Sequence, residues 1–280
     1  MISDRLMGTN SHRRVGSCRA LRRRHGAPVG PTLLFALLLT MATPLDARQE
    51  NAGASAPVAQ FYSYRLRDRA AFEQGYRQHL RWHAERGDPL AWYAWTVSSG
   101  PRRGIFIDGT AGATFAQLDD RPDPEGDRRD FARAAGREAE AIDVETWELW
   151  PEVSTATPLE QRRPGAYADV YLVTVQPARE TAFRRAVTAA ARGRNHAAQG
   201  IAWYRKLRGG AVPAYMVFAQ RQNWSDLDSI GRTLPDVVAR SFSARPDEVQ
   251  SIIDKVETIS TETWTYEPRL SLLPGLPLSF

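Results

Sequence analysis

Three histidines lie beyond residue 47 of this 280-residue chain: His79, His83 and His196. His79 and His83 are four residues apart in a stretch where Phe72, Tyr76 and Leu80 recur at helical spacing, so both imidazoles fall on one helix face and could meet one metal ion or ligand. The residue after His79 is Leu80, which breaks the His-Glu-x-x-His pattern of zinc hydrolases. The simpler reading is a pair of partly buried helix-end histidines with satisfied hydrogen bonds, so no metal is expected. His196 stands beside Asn195 near a helix end and carries no ligand motif of its own.

Other candidates sit on strand-like runs. Alternation puts Glu145 on the face of Trp147 and Glu262 on the face of Trp264. If that face lines an internal space, two carboxylates beside indoles could act as acid and base; if it faces outward, they are solvated strand residues. Arg205 and Lys206 fall on opposite faces of one strand, and Lys206 is a candidate to meet an anionic ligand. Tyr93, Trp95 and Tyr204, with their neighbours Trp92 and Trp203, are either core or the wall of a pocket suited to an apolar or aromatic molecule. No catalytic residue can be named. A Ser-His-Asp order, a phosphate-binding Gly-rich loop and a paired-Asp metal motif are all missing from the sequence.

The elements that must position these residues occur twice. Residues 61–154 read as strand, helix, two strands, helix, strand: Phe61–Leu66, Asp68 to Arg86, Leu90–Val97 with Ile105–Asp108, Asp130 to Ala141, and Ile142–Trp150. The charged stretch Asp120 to Arg129 reads as loop or solvated helix end. Residues 167–271 repeat the landmarks in order. Trp92-Tyr93 lies 20 positions after Phe72, and Trp203-Tyr204 lies 20 after Phe183. Phe115-Ala-Gln-Leu-Asp119 matches Trp224-Ser-Asp-Leu-Asp228, and Glu145-Thr-Trp147 with Pro151 and Ser154 matches Glu262-Thr-Trp264 with Pro268 and Ser271. The expected fold class is α+β: tandem ferredoxin-like βαββαβ units, whose open sheet faces cover each other. Residues 155–166 form the expected linker, and 272–280 an apolar, Pro-rich tail.

Residues 1–47 read as a secretory signal: an Arg-rich start, the apolar run Thr32 to Thr43, and a small-residue exit. The run is short of the roughly 20 residues of a spanning helix, so no stable membrane anchor is expected. Residues 48–60 read as a flexible leader, and the destination as periplasmic or secreted. Of 37 Lys+Arg, seven fall in the first 47 residues, as do two of 32 Asp+Glu, which leaves 30 of each sign. The net charge of +5 therefore belongs to residues 1–47, and nucleic acid is not an expected partner. The single cysteine, Cys18, is also there, which removes thiolate catalysis and disulfides from the body.

The paired units, the Trp-Tyr strand followed by a Gly-Pro hairpin (Gly100-Pro101), the Phe/Trp-x-x-Leu-Asp turn and the closing Glu-Thr-Trp segment resemble uncharacterised secreted bacterial proteins of the dimeric α/β-barrel superfamily. The resemblance implies an intramolecular barrel made of both units. It does not choose a function, because the superfamily includes small monooxygenases, haem enzymes and non-catalytic proteins. The expected role is binding of an apolar or aromatic small molecule, or another interaction, in the cleft between the units. The competing role is a cofactor-free or haem-dependent oxidoreductase in the same cleft. Haem of the kind used by chlorite dismutase-like relatives would need an axial histidine from the second unit, for which His196 is the candidate; otherwise no cofactor is expected.

Overall fold

A computed structural model describes residues 56–193 and 201–276. His196, the segment 1–47 and the last four residues lie outside the described residues. Eight strands alternate with helices: β1 (Val58–Leu66), α1 (Arg69–Glu85), β2 (Tyr93–Ser99), β3 (Phe106–Ala113), α2 (Phe115–Asp119), α3 (Pro124–Ala134) and β4 (Ala139–Leu149) in the first half. The second half contains β5 (Tyr167–Val175), α4 (Glu180–Ala190), β6 (Ile201–Arg208), β7 (Ala214–Arg221), α5 (Leu227–Ile230), α6 (Leu234–Phe242), α7 (Pro246–Ile253) and β8 (Val256–Tyr266).

All eight strands pair antiparallel into one closed barrel in the order β1-β3-β2-β8-β5-β7-β6-β4. Within each half the last strand flanks the first, so the order β4-β1-β3-β2 recurs as β8-β5-β7-β6. The halves join at two seams, β2 with β8 and β4 with β6, and closure leaves no free sheet edge.

Strand alternation sorts the apolar residues into three clusters. Inside the barrel lie Phe61, Tyr93, Trp95, Trp147, Phe218 and Trp264 with their smaller neighbours. Outside the first half, Phe72, Tyr76, Leu80, Trp92 and Phe106 join the helix layer to the sheet. Outside the second half, α4, α6 and α7 cover Tyr171, Trp203, Tyr215 and Val217. Strand β3 shows the sorting directly: Ile107 and Ala111 point into the barrel, whereas Phe106 and Asp108 point to α1.

Two differences from the sequence expectation matter for the site. Helix α3 starts at Pro124, within the stretch read as loop or solvated helix end, because Asp123 caps it by accepting a hydrogen bond from the Gly126 N–H (2.8 Å) and proline suits the first helical position. Strand β1 starts at Val58, three residues inside the expected leader.

Candidate metal centre

Helix α1 is capped by Asp68, whose side chain accepts from the Ala71 N–H. Its buried positions are Phe72, Gly75, Tyr76, His79, Leu80 and His83, one stripe at helical spacing that faces β3 and α3. The last turn ends at Arg86, and Gly87 takes a left-handed φ of 65°, which reverses the chain and returns Asp88 to the helix it has just left. Asp88 Oδ2 then lies 2.7 Å from His83 Nδ1 and accepts from the Trp92 indole N–H at 3.1 Å, while Oδ1 accepts from the Leu90 N–H.

Helix α3 packs against the same stripe. Its backbone approaches so closely that a Cβ on Gly75 would stand 1.8 Å from the Ala134 carbonyl oxygen. This contact brings Asp130 Oδ2 to 3.0 Å from His79 Nδ1. It also brings Asp127 Oδ1 to 3.2 Å from His79 Nε2 and 3.3 Å from His83 Nε2. The two Nε2 atoms are themselves 3.2 Å apart.

Proton positions follow from these partners. A carboxylate only accepts, so each Nδ1 must donate, His79 to Asp130 and His83 to Asp88. In the neutral tautomer each Nε2 is then an acceptor. Two imidazole lone pairs and one carboxylate oxygen therefore converge on one point with no donor among them. Only a cation relieves that arrangement: a proton on the histidines, or a metal ion. The spacing suits an ion, since tetrahedral ligands on bonds of roughly 2.0–2.1 Å stand about 3.3 Å apart. Carboxylates on the far nitrogens also fix tautomer and ring orientation, as in metal-binding histidines generally. Electrostatics agree. Burial works to lower the His83 pKa, but its bonds to Asp127 and Asp88 outweigh this and raise it. Burial works to raise Asp127, but the two histidines hold it well below the usual carboxylate range.

Beside the three ligand atoms is a cavity of about 220 Å³, walled by Tyr62, Tyr64, Trp92 and Phe131 and carrying Asp108 and Arg121. Arg121 Nη1 binds the outer oxygen of Asp127 at 3.2 Å and so anchors the ligand from behind. Asp108 is 5% exposed; its Oδ2 accepts from the Tyr76 hydroxyl at 2.6 Å, and its Oδ1 has no partner among the described residues. Burial raises the Asp108 pKa to about 7, against the lowering effect of the Tyr76 hydrogen bond.

The residues singled out from sequence do not form one site. His79 and His83 come together outside the barrel, with Asp127, Asp88 and Asp130 added by tertiary structure. Tyr93, Trp95, Glu145, Tyr204, Lys206 and Glu262 point into the barrel, and that interior is filled rather than open. Trp95 lies 5.7 Å from Trp264 and 5.6 Å from Tyr93 between ring centroids, and all three are at most 1% exposed. The Tyr93 hydroxyl donates to the Leu159 carbonyl, and the Tyr204 hydroxyl donates to Glu160. The Glu145 and Glu262 face is the inner one, but neither carboxylate is free. Lys206 binds Glu145, and Arg102 grips Glu262 with two hydrogen bonds of 2.9 Å. The expected ligand cleft between the units is thus occupied by side chains that had been its proposed wall. Aromatic strands look the same in sequence whether they line a pocket or fill one.

The fold defines the class: an α+β chain closed as an eight-stranded antiparallel barrel. No family model and no curated protein matches the chain. Among solved structures, a candidate monooxygenase from Fusobacterium nucleatum superposes with a TM-score of 0.50 at 8% identity, covering 76% of this chain and 94% of that one. A candidate monooxygenase from Lactobacillus acidophilus gives 0.49 at 11%, covering 75% and 94%. A chlorite dismutase variant from Candidatus Nitrospira defluvii gives 0.48 at 12%, covering 77% and 93%. At these identities the likeness is one of fold. Haem does not fit the described histidines: their Nε2 atoms face each other at 3.2 Å, and the adjoining space of about 220 Å³ is below the roughly 300–1,000 Å³ usual for organic ligands.

Proposed function

We propose that this is an exported metalloprotein that holds one divalent transition-metal ion, of the zinc class, through His79 Nε2, His83 Nε2 and Asp127 Oδ1. The observation that carries the reading is the convergence of these three atoms within 3.3 Å of one another, each histidine having a carboxylate oxygen within 3.0 Å of its other nitrogen. Neutral imidazoles and a carboxylate suit zinc among the divalent ions. The thiol-free body and the leader read in residues 1–47 suit an oxidising, extracytoplasmic setting, where a nitrogen and oxygen ligand set persists.

This reading moves small-molecule binding from the barrel interior to the cavity beside the ion. The duplicated βαββαβ reading accounts for the placement, since the first unit supplies α1 and α3. The equivalent face of the second unit carries α4, α6 and α7, with no cluster of three metal-ligating groups among the described residues. An oxidoreductase role survives in one form: two histidines and one carboxylate with open positions is also the ligand set of non-haem iron oxygenases.

Isothermal titration of the metal-free protein with zinc tests the proposal. One site is expected, with affinity falling at least 100-fold in Asp127→Asn and in His83→Ala. Equal affinity in wild type and both variants would refute it. Iron(II) binding tighter than zinc would favour the oxygenase form.

A further inference from the structure

Independently of the metal reading, we infer that the chain carries a second ligand site, a groove at the β4–β6 seam that binds a small organic anion: an aromatic body with a phosphate or carboxylate head.

The groove follows from the way α4 lies on the sheet. The buried face of α4 is Phe183, Val187 and Ala190. Thr181, Arg184, Arg185, Thr188 and Arg192, also at the spacing of one helical stripe, form instead one wall of a cavity of about 800 Å³. The facing wall is the end of β4 with Trp150, Pro151 and Glu152, and Arg205 of β6 adds to it. This volume falls in the roughly 300–1,000 Å³ usual for organic ligands. Four arginines against two glutamates leave the lining at net +2. Glu148 holds Arg205 at 2.5 Å, whereas Arg184, Arg185 and Arg192 form no hydrogen bond or ion pair among the described residues.

Arginines on an exposed helix face are ordinarily a solvated surface. The matching seam of the first half shows what is different here. Phe72 and Phe183 hold the same place in their halves, as do Pro151 and Pro268, so Arg184 corresponds to Glu73 and Trp150 to Glu267. There the cations of α1 are neutralised: Arg69 lies 2.7 Å from Glu73 and 2.8 Å from Glu267, and Arg77 lies 3.6 Å from Glu73. The second half has a guanidinium in place of one carboxylate and an indole in place of the other. Glu180, which corresponds to Arg69, accepts from the Tyr215 hydroxyl at 3.0 Å and does not line the groove. Three guanidinium groups are thus left facing a concave space without an internal anion.

The two walls define the ligand together. A guanidinium offers paired N–H donors in a planar fork that matches two oxygens of a carboxylate or phosphate. Trp150 is partly exposed, its ring rests on Tyr215 at 5.8 Å between centroids, and Arg184 Cζ lies 5.5 Å from its centroid. Charge and flat apolar surface are therefore adjacent, with Leu149 and Pro151 extending the apolar side. A charged head on a ring meets both walls at once. Inorganic phosphate meets only the arginines, and a neutral ring only the indole.

Isothermal titration of the whole protein with phenyl phosphate and with 1,3-benzenedicarboxylate tests the site, and the tighter of the two identifies the head group. One site is expected, with inorganic phosphate and phenol each bound at least tenfold more weakly. Failure of both aromatic anions to bind at millimolar concentration overturns the inference, and inorganic phosphate bound as tightly overturns the aromatic body. The double variant Arg184→Gln with Arg192→Gln changes only exposed side chains and is expected to weaken binding at least tenfold, the loss of about one charged hydrogen bond. Arg77→Gln in the first half is expected to leave it unchanged. Equal affinity in wild type and the double variant, or an equal loss in Arg77→Gln, overturns the placement. Trp150→Leu is expected to bring the aromatic anion within threefold of inorganic phosphate, and a preserved preference overturns the role of the indole. Binding is expected to be the same with and without zinc; binding only in the zinc-loaded protein would put the anion on the metal and overturn the second site.

Discussion

Asp108 links the site to stability through pH. Its folded pKa of about 7 lies above the roughly 3.9 of an unfolded aspartate, so the folded state holds this proton more tightly. In the metal-free protein its favourable contribution is full below pH 4, fades as pH rises through 7, and is absent above 8. Asp108→Asn removes the ionisation but leaves one buried amide N–H to satisfy. Removing the ionisation is worth about 4 kcal/mol above pH 7 and nothing at pH 4, and the buried amide costs about 2 kcal/mol at either pH, so we expect it to stabilise the metal-free protein by about 2 kcal/mol at pH 8.5 and to destabilise it by about 2 kcal/mol at pH 4. Denaturant titrations at the two pH values check this, and equal effects at both would show that Asp108 does not titrate in the folded state. The histidines were visible in the sequence as a pair at helical spacing. Their five-group environment was not, because Asp127 and Asp130 lie about 50 residues downstream and Asp88 returns only through the Gly87 turn.

The metal ligands come from two helices, so the site depends on how α1 meets α3. Gly75 sets that distance, and a methyl group there would collide with the Ala134 carbonyl. Gly75→Ala should push α3 outward, lower the thermal midpoint, and weaken zinc binding at least tenfold although no ligand is changed. Unaltered zinc affinity in that variant would mean that α3 is not held at this spacing. Helix α3 was also the element least legible in sequence. Asp120 to Arg129 is dense in charge and looks solvated, yet Asp123-Pro124 is a capping residue followed by a proline at the first helical position. Those two residues were the signal that could have placed Asp127 on a helix facing His83. The strands were more legible, since their alternation survives in Tyr93, Trp95 and Val97 and again in Trp203 and Tyr204, although alternation alone left open which face was filled.

At the scale of the molecule, the two halves are fastened at both seams by an inward carboxylate beside a tryptophan. Glu262, 1% exposed, takes Arg102 from the β2–β3 hairpin of the other half, and Glu145 takes Lys206 from β6. The repeated Glu-Thr-Trp segments noted in the sequence are thus joints of the barrel, not an acid and base pair. Arg102→Ala leaves the Glu262 carboxylate buried with only the Trp264 N–H as a donor, and should destabilise the protein by about 3 kcal/mol. Arg102→Met with Glu262→Gln should cost less than Arg102→Ala alone, and zinc affinity should be unchanged in both, because the seam lies across the sheet from the metal position. Chemical denaturation of the single and double variants checks the first point; a double variant less stable than the single one would contradict it. The interior also explains why the site is external: Trp95, Trp147 and Trp264 fill the barrel, and the cavity beside His79 and His83 lies between sheet and helices.

Anomalous X-ray diffraction from zinc-loaded crystals shows whether a metal ion sits between the two histidines and Asp127. One strong zinc peak is expected at roughly 2.0–2.2 Å from His79 Nε2, His83 Nε2 and an Asp127 oxygen. An empty position at this point, with the three side chains ordered as described, would contradict it.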